Sequence, residues 1–179
     1  MRILVGGASG LVGGALLPRL KAASHDIVRL TRGGRSGGDA VLWDPDRGIL
    51  EPSMLRGFDA VVHLGGASIA SGRWTVKRKQ LILESRTRST LLLAERIAAL
   101  PSDSRPRAFV VASATGYYGN RGDTPLDESS GPGDGFLADV CRAWEEASEP
   151  VARAGVRVVR PRIGVVLARD GGALAAMLP

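Results

Sequence analysis

A chain of 179 residues with 44% hydrophobic and 23% charged residues can bury one sizeable core and has the composition of an ordinary globular domain. Its longest apolar runs, such as Ala108 to Ala112 and Val156 to Val159, are strand-length, which excludes a helical membrane span. The net charge of +6 is dispersed apart from Arg73 to Lys79, and no aromatic stacking platform accompanies that group, so a nucleic-acid partner is not expected.

Met1-Arg2 leads straight into a strand pattern, so no removable secretory signal is expected. Cys141, the single cysteine, cannot form an internal disulfide, and a reducing, cytoplasmic setting is the default.

Arg2 to Val5 reads as a central buried strand that runs into Gly6-Gly7-Ala8-Ser9-Gly10-Leu11-Val12-Gly13, ahead of a helical pattern from Leu11 to Ala23. The spacing Gly7-x-x-Gly10-x-x-Gly13 has a physical reading. Gly7 permits a tight exit from the strand, Gly10 lets backbone approach a pyrophosphate, and Gly13 lets the helix lie close to the sheet. The free N–H groups of the first helical turn then meet the anion at the positive end of the helix dipole. Dinucleotide binding is the expectation. Pro18 lies inside this helix and predicts a kink or local rearrangement.

Asp26 to Thr31 is the second strand, and its tip decides the cofactor. An NAD site places a carboxylate there for the ribose 2′-hydroxyl, whereas this chain offers Thr31-Arg32, with Arg35 following. Arg32 suits a 2′-phosphate, so NADP(H) is expected, with NAD as the alternative. Ala40 to Trp43 is a third strand. Asp44 at its tip is open between a contact to the adenine amine and a turn-forming role. Pro52 to Arg56 gives one helical turn.

Asp59 to Leu64 is the fourth strand, and Leu64-Gly65-Gly66 at its tip lets backbone pass close to the cofactor. His63 reads as packed and hydrogen-bonded rather than catalytic. A long helix follows from Thr75 to Leu100, and Pro101 marks its end.

Ala108 to Ala112 is the fifth strand, and Ser113-Ala114-Thr115-Gly116-Tyr117-Tyr118-Gly119 puts two hydroxyls and two phenols at its tip. Ser113, Thr115, Tyr117 and Tyr118 are the candidate catalytic residues, able to donate to a carbonyl oxygen as hydride moves. Asn120 to Gly135 is turn-rich and reads either as a lid over substrate or as a plain surface loop. Phe136 to Ala154 reads as one helix and Val156 to Arg160 as the sixth strand, after which Pro161-Arg162-Ile163-Gly164 turns back toward the cofactor crevice.

The predicted fold is α/β: a doubly wound, mostly parallel Rossmann sheet with helices on both faces. Cofactor contacts are assigned to Gly7, Ser9, Gly10, Leu11, Val12, Gly13, Thr31, Arg32, Asp44, Leu64, Gly65, Gly66, Ser113 and Arg162, and no metal site is assigned.

Several segments together resemble one family. They are the glycine turn, Leu30-Thr31-Arg32, Arg73-Trp74, Glu84-Ser85-Arg86, Ser113 to Asp123, Phe136 to Cys141, and Gly164-Val165-Val166-Leu167 with Asp170-Gly171-Gly172. They resemble the epimerase-like atypical branch of the extended short-chain dehydrogenases/reductases, a group named for nucleoside-diphosphate-sugar epimerases. The resemblance implies an NADP(H)-binding domain over residues 1–164 and a small C-terminal substrate domain, largely missing here, of which residues 165–179 form the start. It also implies a small-molecule substrate, a nucleotide sugar being one candidate, and a homodimer as a possible state.

Ser113 matches the family's active-site hydroxyl most closely, with Thr115 one alternate position along. One departure stands out. Short-chain dehydrogenases ordinarily carry Tyr-x-x-x-Lys on the helix after this loop, and here that helix begins Phe136-Leu137-Ala138-Asp139-Val140-Cys141, which leaves Tyr117 and Tyr118 as the available phenols. Two functions stay open: an NADP(H)-dependent oxidoreductase or epimerase, and a non-catalytic NADP(H)-sensing protein.

Overall fold

The computed structural model describes residues 1–33, 38–169 and 171–177, and Arg35 and Asp170 lie outside them. Its centre is a six-stranded parallel sheet in the order β3-β2-β1-β4-β5-β7, formed by β1 (Arg2–Gly6), β2 (Asp26–Thr31), β3 (Ala40–Leu42), β4 (Ala60–His63), β5 (Ala108–Val111) and β7 (Arg157–Val159). The intervening strand β6 (Ser113–Ala114) leaves this sheet and pairs in parallel with β8 (Arg162–Ile163). Parallel pairing puts the carboxyl ends of all six central strands at one edge, where β1 ends at Gly6, β2 at Thr31 and β4 at His63.

Alternation along β1 decides which face each helix covers. Ile3 and Val5 point to one face, where Leu17 and Leu20 of α1 (Leu11–Ala22) pack on them. Leu4 points to the other, into a larger core with Leu92, Leu93 and Ile97 of α2 (Val76–Ala98), Trp144 of α3 (Phe136–Glu146) and Val151 of α4 (Glu149–Arg153). Helices thus cover both faces of a doubly wound sheet, as the sequence pattern predicts.

Two local differences have physical reasons. Helix α1 runs unbroken through Pro18: both Pro18 and Gly14, whose carbonyl loses its partner, are exposed, so water can satisfy the freed group. The single helix predicted over 136–154 is two helices. Pro150, which cannot donate to a preceding turn, occupies the first turn of α4 instead, and the buried Ser148 between the helices donates to the Glu145 carbonyl at 2.6 Å. Near the C-terminus, β9 (Leu167–Ala168) and α5 (Gly172–Met177) form a small unit in which the Ala173 N–H bonds the Val166 carbonyl at 3.1 Å.

Candidate functional site

The glycine turn is fixed by space as well as by dihedral angle. Gly7 has φ +78°, and a Cβ there would stand 2.7 Å from the Gly65 nitrogen. A Cβ on Gly13 would stand 2.3 Å from the Gly7 carbonyl oxygen, so the start of α1 lies directly against the turn. Gly10 caps α1 with no side chain, and no acidic residue occupies the first turn. The first-turn donors, including those of Leu11, Val12 and Gly13, therefore have no side-chain acceptor and remain open to an anion.

Beside this turn lies a cavity of about 890 Å³. Gly7, Ser9, Thr31, Arg32, Gly65 and Gly66, all predicted contacts, line it, while Gly10, Leu11, Val12 and Gly13 form the helix start adjoining Gly7. Arg32 is exposed and has no carboxylate partner among the described residues. Asp39, a carboxylate on the cavity wall, is taken up by Arg29 at 2.5 Å. Leu64 packs against the larger core. Asp44 Oδ1 accepts from the Asp46 and Arg47 N–H groups at 3.0 and 3.2 Å, so its carboxylate is committed to its own turn.

Trp43, His63, Ser85 and Ser89 also line this cavity and were not assigned to the site from sequence. His63 is fully buried, edge-on to Trp43 at 5.6 Å, with Nε2 2.9 Å from Ser89 Oγ. Ser89 Oγ donates to the Ser85 carbonyl at 2.7 Å, which makes it an acceptor from the ring Nε2–H. Burial lowers the His63 pKa to about 4, so the ring is neutral at neutral pH. It also explains Gly6 and Gly65, since a Cβ on either would come within 2.8 Å of the ring.

The predicted reaction residues gather elsewhere. Ser113 is buried and its Oγ donates to Glu145 Oε1 at 2.6 Å. Arg162, brought opposite Ser113 by the β6–β8 pairing, donates to both Glu145 oxygens, Nε to Oε1 and Nη2 to Oε2, each at 3.0 Å. Its Nη1 donates to Tyr118 Oη at 2.8 Å, and its guanidinium stands 3.5 Å from the Tyr117 ring centroid. These bonds, above all that to Glu145, raise the Arg162 pKa further above its ordinary value. Thr115, Tyr118, Glu145 and Arg162 line a second cavity of about 560 Å³, under the loop that the sequence offered as a lid. Arg121 holds that loop to the Tyr118 and Pro132 carbonyls, at 3.2 and 2.9 Å. Ser113 and Arg162 thus sit in one ion-paired cluster, and neither lines the larger cavity.

Against Gly116, α3 presents Leu137 and Cys141: a Cβ on Gly116 would be 3.5 Å from Leu137 Cβ and 3.8 Å from Cys141 Sγ. Leu137 has no proton to exchange, and burial pushes the Cys141 thiol up.

A parallel sheet with a glycine turn, an open helix N-terminus and a cavity at its strand tips defines a dinucleotide-binding α/β protein of the short-chain dehydrogenase/reductase type. The chain belongs to the NAD dependent epimerase/dehydratase family, whose model matches residues 3–135. An epimerase family protein of Mycobacterium tuberculosis is 40% identical over 177 residues, a span of 99% of this chain and 58% of that relative. The chain thus spans little more than half the length of the relative it matches. The crystal structure of the human epimerase family protein SDR39U1 with NADPH superposes with TM-score 0.85 at 34% identity, covering 99% of this chain and 58% of the other. That of a Corynebacterium glutamicum nucleoside-diphosphate sugar epimerase gives 0.84 at 38%, covering 99% and 36%. Among the described residues no helix is long and apolar enough to cross a membrane.

Proposed function

We propose that the chain binds NADP(H) along the strand tips. In this reading the pyrophosphate lies on the first turn of α1, and Arg32, supported by Thr31, takes the 2′-phosphate. The carrying observation is one cavity that combines uncapped helix donors with an exposed arginine free of any described carboxylate partner. The Cβ-free approach at Gly7 and Gly13 fits the same group. Bound NADP(H) supplies hydride chemistry. The complete protein then acts on a carbonyl or nucleotide-sugar substrate, with residues from 165 onward beginning the substrate-binding region and residues 1–164 the cofactor domain. The unpaired, buried Cys141 fits a reducing, cytoplasmic setting.

In this protein the chain's own groups divide the work differently from a Tyr-x-x-x-Lys enzyme. Tyr118 and Thr115 are the hydroxyls that line the second cavity, and Arg162 Nη1 donates to Tyr118 Oη at 2.8 Å, which fixes the position of that phenol. Ser113, held by Glu145, positions this cluster. A second reading, NADP(H) sensing without turnover, is favoured by that commitment of Ser113 and by the Leu137–Cys141 face of α3.

The test is titration with NADPH and NADH, repeated for Arg32→Asp. NADPH is expected to bind more tightly than NADH by about 10- to 100-fold, the worth of a charge-assisted pair, and Arg32→Asp is expected to abolish the difference. Equal affinities in the unmutated protein refute the assignment. Turnover of a carbonyl substrate that survives in Tyr118→Phe removes that phenol from the mechanism.

A further inference from the structure

Helix α2 carries two arginines, Arg78 and Arg86, whose situation is the reverse of that of Arg162. Arg86 is half-buried. Its guanidinium lies 5.0 Å from the Trp144 ring centroid, and the Trp144 indole N–H is fixed on Thr90 Oγ1 at 3.0 Å, so the platform is rigid. Nη1 donates to the Ala67 and Ile82 carbonyls, both at 3.0 Å. Neither Nε nor Nη2 has a hydrogen-bond partner among the described residues, and neither is sealed from solvent.

No described carboxylate pairs with Arg86. Two turns earlier, Arg78 donates to the Ser68 carbonyl of the same loop, and its positive charge opposes that of Arg86. Cys141 also faces Arg86, but burial pushes that thiol up, so it supplies no thiolate at neutral pH. Gly66 completes the arrangement, because a Cβ there would press on the guanidinium at 3.1 Å.

A half-buried cation is costly without an opposite charge, and an arginine anchored through one nitrogen offers the other two as a preset fork for a pair of oxygens. Its place is beyond the tip of β4, between Gly66 and α3: Arg86 does not itself line the larger cavity but lies behind Gly66 and Ala67, which do. We propose that Arg86, with Arg78 behind it, is an oxyanion-binding site that receives a carboxylate or phosphate group of a small-molecule ligand entering this cleft. The inference rests on the cleft being the cofactor and substrate cleft. It deepens that reading by assigning an acidic group to the ligand. The group belongs either to the substrate or to the half of NADP(H) distal to the adenine.

The experiment uses the whole chain and ¹H–¹⁵N spectra, with the Arg86 Nε–H signal assigned by its loss in Arg86→Gln and Arg86→Lys. Malonate and inorganic phosphate are the probes, each titrated with and without saturating NADPH. Both are expected to shift the Arg86 Nε–H and Trp144 indole signals. Arg86→Gln should weaken malonate binding, read at the Trp144 signal, by about tenfold or more, and Arg86→Lys, which keeps the charge and loses the fork, by less.

Probe binding that persists with NADPH bound identifies the substrate as the source. Probe binding abolished by NADPH but not by adenosine 2′,5′-bisphosphate identifies the cofactor's distal half. Identical probe affinity in the unmutated protein and Arg86→Gln, or no shift at all, overturns the site. NADPH that fails to bind while malonate still shifts Arg86 refutes the cofactor reading and leaves the oxyanion site standing.

Discussion

Removing the Glu145 carboxylate tests whether the Ser113–Glu145–Arg162 cluster is a structural pin. The two side chains are 12% and 17% exposed, so the pair is largely desolvated, and the carboxylate takes three bonds: one from Ser113 and two from Arg162. Glu145→Ala leaves a guanidinium facing the Tyr117 ring without its counter-charge, together with an unpaired buried Ser113 hydroxyl. Breaking one side of such a pair costs about 3–5 kcal/mol. For a chain of this length each kcal/mol moves the melting midpoint by about 2–4 °C, so the lower figure corresponds to a fall of about 6–12 °C.

Glu145→Ala/Arg162→Met, which removes both charges together, should recover most of that loss, because an apolar pair of similar volume is often neutral there. Urea unfolding of the four members of the cycle measures this, with the m-value checked for constancy. A Glu145→Ala loss below about 1 kcal/mol, the range of an exposed pair, refutes the pin.

Two further outcomes follow from particular atoms. His63 has a folded pKa of about 4, below the ordinary 6.5, so the unfolded chain binds the proton more readily. Stability is therefore full above pH 6.5 and falls as pH drops from 6.5 to 4, by about 3 kcal/mol from this group. The difference in unfolding free energy between the unmutated protein and His63→Asn should carry that slope, and a difference flat from pH 7 to pH 4 contradicts it. In the glycine turn, Gly13→Ala places a methyl 2.3 Å from the Gly7 carbonyl, whereas Gly14→Ala meets nothing within 4 Å. Calorimetric titration should show NADPH binding weakened at least about tenfold by Gly13→Ala, with about 1–3 kcal/mol lost from stability, while Gly14→Ala preserves affinity and raises stability by up to about 1 kcal/mol.

The sequence made the sheet legible because most central strands are short apolar runs closed within two residues by a glycine, proline or charged residue, and the spacing Gly7-x-x-Gly10-x-x-Gly13 has few uses besides this turn. The break before α4 was also written in the chain, since Pro150 suits the first turn of a new helix and not the interior of one running from 136 to 154. The direction of Ser113 was not legible. Alternation along a two-residue strand states that neighbours face opposite ways, but the partner that fixes the hydroxyl, Glu145, arrives from α3, 32 positions along. Arg86 was hidden for a related reason: an arginine within a long helix has the period of a solvated face, and only the packing of α3 on α2 puts Trp144 beneath it.

The contrast between Arg162 and Arg86 separates holding the fold from meeting a ligand. Both guanidiniums lie beside aromatic rings close to the strand tips. Arg162 spends every nitrogen on protein partners, two on Glu145 and one on Tyr118, so an incoming anion would have to displace a carboxylate already held by two bonds. Arg86 spends one nitrogen on carbonyls, which orient a cation without neutralising it. A half-buried charge that the protein orients but does not pair favours a ligand of opposite sign over water, because part of the desolvation cost has already been met in folding. By that criterion the Ser113 cluster stiffens the fold beside the second cavity, whereas Arg86 on α2 keeps a charge that no described carboxylate neutralises.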